Sequence, residues 1–123
     1  MAIQSFKDLD VWKVAHGLTL AVYRLVRGFP DDERFCLSLQ MRRAAISIGA
    51  NIAEGFVRQG PKDQRRFFNI SRGSAEELKY FLILSRDLGD LKGPGTLEES
   101  LDRVCAMLHQ MMRSAADRIR RMT

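Results

Sequence analysis

The stretch that decides the fold runs from Arg42 to Arg58, RRAAISIGANIAEGFVR. It has no proline and reads as helix, yet it carries Gly49 and Gly55. Each glycine in a helix interior costs about 1 kcal/mol relative to alanine. At helical spacing one face holds Phe35, Leu39, Ala45, Ile48, Ile52 and Phe56, the expected core stripe. Ala44, Ser47, Gly49, Ala50, Ala53 and Gly55 spread small side chains over the other faces. Small side chains let a neighbouring helix come close, and the dispersion energy recovered there offsets the glycine cost. The expectation is a helix that lies deep, crossed on several sides, where leucine at Ala50 or Ala53 overpacks the crossing. Ser71, Gly73, Ser74 and Ala75 on the next helix supply a matching small patch.

The same helix carries a polar ridge. Arg43, Ser47, Asn51 (or Ala50), Glu54 and Arg58 follow one another in steps of three and four, so they are neighbours. Glu54 and Arg58 form an i,i+4 pair in the favourable order. If this side meets Ser74 or Glu77, then Arg43, Ser47, Asn51, Glu54, Ser74 and Glu77 form a candidate polar network. Such a network is costly unless every member is satisfied.

Working outward, Phe29-Pro30-Asp31-Asp32, Gln59-Gly60-Pro61 and the run Gly89 to Thr96 break the chain into helices. The pattern predicts four helices, about 9–28, 31–58, 61–88 and 96–122, and no strand. The first places Trp12, Ala15, Leu18, Val22, Leu25 and Val26 on one face. The second opens with Asp31, Asp32 and Glu33, acids that suit a helix N-terminus. The third takes Pro61 in its first turn and stripes Phe67, Ile70, Ser74, Leu78, Phe81, Leu82 and Leu88. Its LKYFLIL segment (Leu78 to Leu84) is apolar almost all round, which asks for cover on more than one side. The fourth begins with Thr96 and Glu99 at capping-box spacing and repeats Leu97, Leu101, Val104, Leu108, Met111, Ala115, Ile119 and Met122. Four helices joined by short turns make an all-α, up-and-down antiparallel four-helix bundle in a single domain, residues 1–123.

Composition bounds the function. Lysine and arginine number 20 against 15 acids, a net charge of +5, mostly arginine. Guanidinium binds phosphate bidentately, so the balance suits a phosphate-bearing partner as well as a solvated basic surface. The N-terminal MAIQSFKDLDVW lacks a signal-peptide pattern, and no apolar run is long enough to span a membrane. Cys36 and Cys105 match no metal or redox spacing and are expected buried and reduced, in the cytoplasm. His16 and His109 belong to no ligand pair, and no phosphate loop, nucleophile elbow or dinucleotide fingerprint occurs. The expectation is a non-enzyme with no cofactor, no metal and no membrane.

Three segments carry a resemblance: FKDLDVWKVAHGL (from Phe6), FPDDERFCLSLQMRRAAISIGANIAEG (from Phe29) and FFNISRGSAEELKYFL (from Phe67). They resemble the bacterial four-helix bundle proteins encoded in intervening sequences of 23S ribosomal RNA genes, the 23S rRNA-intervening-sequence proteins. The resemblance covers the chain through Leu88, and the fourth helix more loosely. It implies a ring-like homopentamer. It also implies a distant likeness to the accessory variability protein of diversity-generating retroelements, a basic pentamer that works with a reverse transcriptase and nucleic acid. The family motif residues Arg42, Arg43, Asn51, Glu54, Ser74 and Glu77 match, and the resemblance implies no catalytic role for them.

Two readings stay open at this point. One is a structural or adaptor assembly of this chain with itself and a protein partner. The other is a basic pentamer that binds RNA or DNA through phosphate contacts, for which Arg42, Arg43, Arg58, Arg65, Arg66, Arg72, Arg118, Arg120 and Arg121 are the candidates. Arginines converging without acidic partners favour nucleic acid; arginines each paired with an acid favour a satisfied surface.

Overall fold

The computed structural model describes residues 2–33 and 35–123. Its helices are α1 (Asp10–Val26), α2 (Leu37–Val57), α3 (Pro61–Asp87) and α4 (Thr96–Arg121). Short 3-10 turns at Phe6–Asp8 and Asp31–Glu33 precede α1 and α2. No strand occurs among the described residues. Each helix has two close neighbours, α1 beside α2 and α4, and α3 beside α2 and α4, while the backbones of the diagonal pairs stay farther apart. All neighbours run antiparallel. Thr19 pairs with Ala45 across α1 and α2, Ser47 with Ser74 across α2 and α3, and Lys79 with Asp102 across α3 and α4. The fold is an all-α four-helix bundle.

Every helix contributes to one core, including Val11, Leu18 and Val22 from α1, Met41, Ile48 and Ile52 from α2, Leu78 and Leu82 from α3, and Leu101, Val104 and Leu108 from α4. Two of the three buried serines bridge or fold back cleanly. Ser71 donates to the Ile48 carbonyl at 2.8 Å, joining α3 to α2, and Ser85 donates to its own Phe81 carbonyl at 2.7 Å. Hydroxyls that satisfy themselves in this way carry little burial cost.

The structure departs from the sequence expectations in phase more than in pattern. The second helix begins at Leu37, not Asp31, because the acidic run closes its own turn after Pro30 and Cys36 is non-helical (φ −123°, ψ −96°). That break resets the helical register. Phe35, expected in the core, is 80% exposed, and Leu37, Met41 and Ala44 are buried instead. Cys36 is exposed and Cys105 half-buried, against the expectation of two buried thiols. On α3 the buried row is Phe68, Ser71, Ala75, Leu78, Leu82 and Ser85, so Leu78 and Leu82 hold their expected places, while Ile70, and Leu88 just past the helix, are exposed. On α4 Met112 takes the core place expected for Met111, and Met122 is exposed.

The two glycines of α2 have different reasons. A Cβ on Gly55 would lie 2.6 Å from the buried Phe68 ring, so the glycine makes room for that ring. A Cβ on Gly49 would meet Trp12 at an ordinary 3.7 Å. Ala50 faces solvent and Ala53 is half-exposed. The expected crossing over those two alanines is therefore absent within the chain, and leucine there would not overpack it.

The capping box expected at Thr96 and Glu99 is also absent. Thr96 is the first residue of α4, Gly95 holds the cap position, and no side chain caps the end. Arg86 on α3 secures the junction. Its guanidinium meets Glu98 at 2.7 and 3.1 Å and donates to the Gly93 and Pro94 carbonyls at 2.8 and 3.1 Å. The Arg86 contact holds the Glu98 carboxyl below its ordinary range. A depressed carboxylate stabilises the fold at neutral pH, and that contribution fades as pH falls through the folded-state value. Glu98→Gln is therefore expected to cost stability at pH 7, and the cost shrinks as pH falls below the ordinary carboxylate range, so that acid denaturation profiles of the two proteins converge. Profiles that stay parallel into full acid denaturation would refute the coupling.

Candidate interaction surface

The expected polar network forms in part. Ser47 and Ser74 share a hydrogen bond of 2.7 Å across α2 and α3. Asn51 donates from Nδ2 to the Ser47 carbonyl at 2.8 Å and to its hydroxyl at 3.0 Å. Because Ser47 Oγ accepts from Asn51, it is free to donate to Ser74, and the three side chains form one chain of bonds. Glu54 sits outside that chain and pairs with Arg58 at 2.6 Å. Arg43 and Glu77 make no hydrogen bond or ion pair among the described residues, so they are not members. The seam pins α3 to α2.

The arginines divide into two groups. Arg58 is committed to Glu54 and also lies 4.6 Å over the Phe67 ring, and Arg66 lies 4.4 Å from the centre of the same ring. These two cation–π contacts hold Phe67 at the surface side of α3 and were not readable from the spacing. Arg66 also contacts Asp63 at 3.5 Å, and Arg120 pairs with Asp117. By contrast Arg42, Arg43, Arg65, Arg72, Arg118 and Arg121 have no ion-pair partner among the described residues. Arg65, Arg118 and Arg121 lie toward the bundle end where α3 begins and α4 finishes. Arg42 lies toward the opposite end, near the start of α2. The candidates therefore do not converge on one spot.

The feature that composition did not single out is apolar. The solvent side of α2 presents Ile46 (48% exposed), Ala50 and Val57 (62% exposed), with Leu39 and Ala53 half-exposed beside them. Ile46, Ala50 and Val57 fall at steps of four and seven, one continuous stripe on a face where a soluble helix ordinarily carries charge. The stripe borders a shallow groove floored by Gly49 and Ala53 and walled by Phe6, Trp12 and His16. Phe6 packs edge-on to Trp12 and His16 stacks flat on it at 4.8 Å, so the histidine is held by packing. On the other side of α1 a second apolar groove, about 460 Å³, runs between Leu9 and Val11 and α4's Ala106, Met107 and Met111.

Among the described residues no group of three or more His, Cys, Asp or Glu side chains is placed to hold a metal ion, and no helix is long and apolar enough to cross a membrane. Burial raises the Cys105 thiol above its ordinary range, which makes it a poor nucleophile.

Comparison with known proteins agrees with this architecture. The family model of the 23S rRNA-intervening sequence protein matches residues 7–116. A solved structure from Bacteroides thetaiotaomicron, of a protein with unknown function from the S23 ribosomal protein family, superposes with a TM-score of 0.62. It is 22% identical, and the match covers 89% of this chain and 95% of that one. No curated protein sequence matches. The family match spans most of the chain, and the chain belongs to the 23S rRNA-intervening sequence protein family.

Proposed function

We propose that this member of the 23S rRNA-intervening sequence protein family is a non-enzymatic building block that assembles with copies of itself into a ring, a pentamer by family resemblance, and serves as a structural or adaptor platform. The observation that carries the reading is the apolar outer stripe of α2. A helix apolar on its solvent face has a second surface to bury, and a patch of this kind marks an interaction site. A ring needs two unlike surfaces on each copy, one presented and one received. The α2 stripe and the α1–α4 groove meet that requirement, because they differ in shape and lie on opposite sides of α1. The ridge of one copy seats in the groove of the next.

The second reading, a basic ring that binds RNA or DNA through arginine–phosphate contacts, is favoured by the unpaired arginines. In a ring each copy would add its +5 charge to a common surface. Light scattering on a sizing column, with and without mixed RNA, at low and moderate salt, tests both. A defined oligomer that ignores RNA supports the platform. An oligomer that shifts with RNA at low salt and releases it at moderate salt supports the nucleic-acid reading. A monomer rejects the ring. Charge reversal of Arg65 and Arg66 together is expected to weaken any RNA binding about tenfold or more at low salt while leaving helicity intact. Undiminished binding would move the contact to another face.

A further inference from the structure

We infer that the pocket where α1 ends and α2 begins binds a nucleoside 5′-phosphate, with the phosphoryl group seated against α2. Neither assembly nor the basic surface is needed for this site.

Three independent features meet there. The first is Ser38, which is 3% exposed and lines the pocket, and whose hydroxyl makes no hydrogen bond among the described residues. Buried hydroxyls are ordinarily satisfied, as the other two buried serines are by carbonyl oxygens. A hydroxyl open beside a cavity is available to a partner that occupies the cavity.

The second is a pair of guanidiniums. Arg27 from the end of α1 and Arg42 from the second turn of α2 both border the cavity, and neither has an ion-pair partner among the described residues. Arg42 and Ser38 are one helical turn apart, so they present a cation and a hydroxyl on the same side. The third is the start of α2 itself. Ser38 lies in its first turn, no side chain among the described residues caps that end, and the helix runs 21 residues. The N-terminal end of such a dipole favours an anion.

The remaining lining selects what carries the phosphate. The cavity measures about 400 Å³, within the range of small-ligand pockets. Val26 and Phe29 wall it with apolar surface, and the Tyr23 ring stands partly exposed at its edge, a platform for a flat base. Asp31 also lines it, and its carboxylate opposes a bare phosphate. The same carboxylate accepts hydrogen bonds from hydroxyls, so it favours a phosphate borne on a sugar. Phosphate, sugar hydroxyls and base together describe a nucleoside 5′-phosphate, either free or at the end of an RNA strand.

Calorimetric titration of the full chain with adenosine 5′-monophosphate tests the site. Binding is expected, with adenosine and inorganic phosphate each at least tenfold weaker. Arg42→Gln is expected to weaken the nucleotide about tenfold, and Ser38→Ala several-fold, as for lost hydrogen bonds to a charged group. Arg113→Gln, an exposed position on α4 away from the pocket, is expected to bind normally. Circular dichroism confirms that each variant is folded. No binding of the nucleotide, or equal binding by Arg42→Gln and Ser38→Ala, would overturn the site. Inorganic phosphate binding as tightly as the nucleotide would overturn the nucleoside assignment. Short RNAs with a 5′-phosphate or a 5′-hydroxyl separate the sources. A preference for the phosphorylated end identifies the strand terminus, and no preference, with the mononucleotide bound, identifies the free nucleotide.

Discussion

Gly55→Val is expected to lower the melting temperature by about 10 °C, the consequence of roughly 3 kcal/mol of overpacking in a domain of this size. A Cβ at this position would sit 2.6 and 2.8 Å from two carbons of the Phe68 ring and 3.2 Å from a third. That ring is 4% exposed and forms part of the core, so it cannot swing aside without opening a void. Gly73→Ala is the matched control. It lies on α3 with nothing within 4 Å of a new Cβ, and it is expected to stabilise the helix by about 0.5–1 kcal/mol. Thermal melts of the two variants beside the parent check the contrast. If Gly55→Val melts with the parent, Phe68 does not depend on that glycine.

The second large effect concerns assembly. Ala50→Glu places a charge in the middle of the α2 stripe, and Ala106→Glu places one on the wall of the α1–α4 groove. Both alanines are exposed in the single chain, so neither change disturbs the core. If ridge and groove meet in the ring, each change buries an unpaired carboxylate at every interface. Penalties of that kind reach several kcal/mol, so association is expected to weaken about a hundredfold or more. Each variant is then expected to run as a folded monomer with the helical spectrum of the parent. Either variant assembling normally would exclude its surface from the interface.

Much of the fold was legible in the sequence, and what was missed has local causes. The periodicity in α4 and the Pro-Gly punctuation predict the helices and their antiparallel order, because both signals depend on nearby residues. The stripe of α2 failed at Phe35, where periodicity was extended backwards through a break that only the Cys36 backbone reveals. The choice between Phe67 and Phe68 was equally invisible. Both are aromatic and adjacent, and only the space left by Gly55 and the guanidiniums over Phe67 decide which one goes inside. Thr96 and Glu99 have the spacing of a capping box, but the Arg86 clamp on Glu98 and the loop carbonyls sets the start of α4. That clamp joins residues from different helices, which no local pattern encodes.

The surfaces follow the same division. Ser47, Asn51 and Ser74 could be placed on a shared seam from spacing alone, whereas Arg43 and Glu77 fell away once the register was known. The excess of small residues around α2 signalled an extra surface to bury, and the structure shows where within the chain that burial stops. Ala44 and Ala45 face the core, while Ile46 and Ala50 look outward. The open hydroxyl of Ser38 carried no sequence signal, since a serine inside a helix is ordinary until its partners are counted.

Self-assembly through two unlike faces is tested by the mass in solution of an equimolar mixture of Ala50→Glu and Ala106→Glu. The first variant keeps its groove and the second keeps its ridge, so one sound interface can form between them and no ring can close. The expected result is a species of two chain masses, with the chain at 14.0 kDa, from two proteins that are each monomeric alone. A mixture that stays at the mass of a single chain would contradict it.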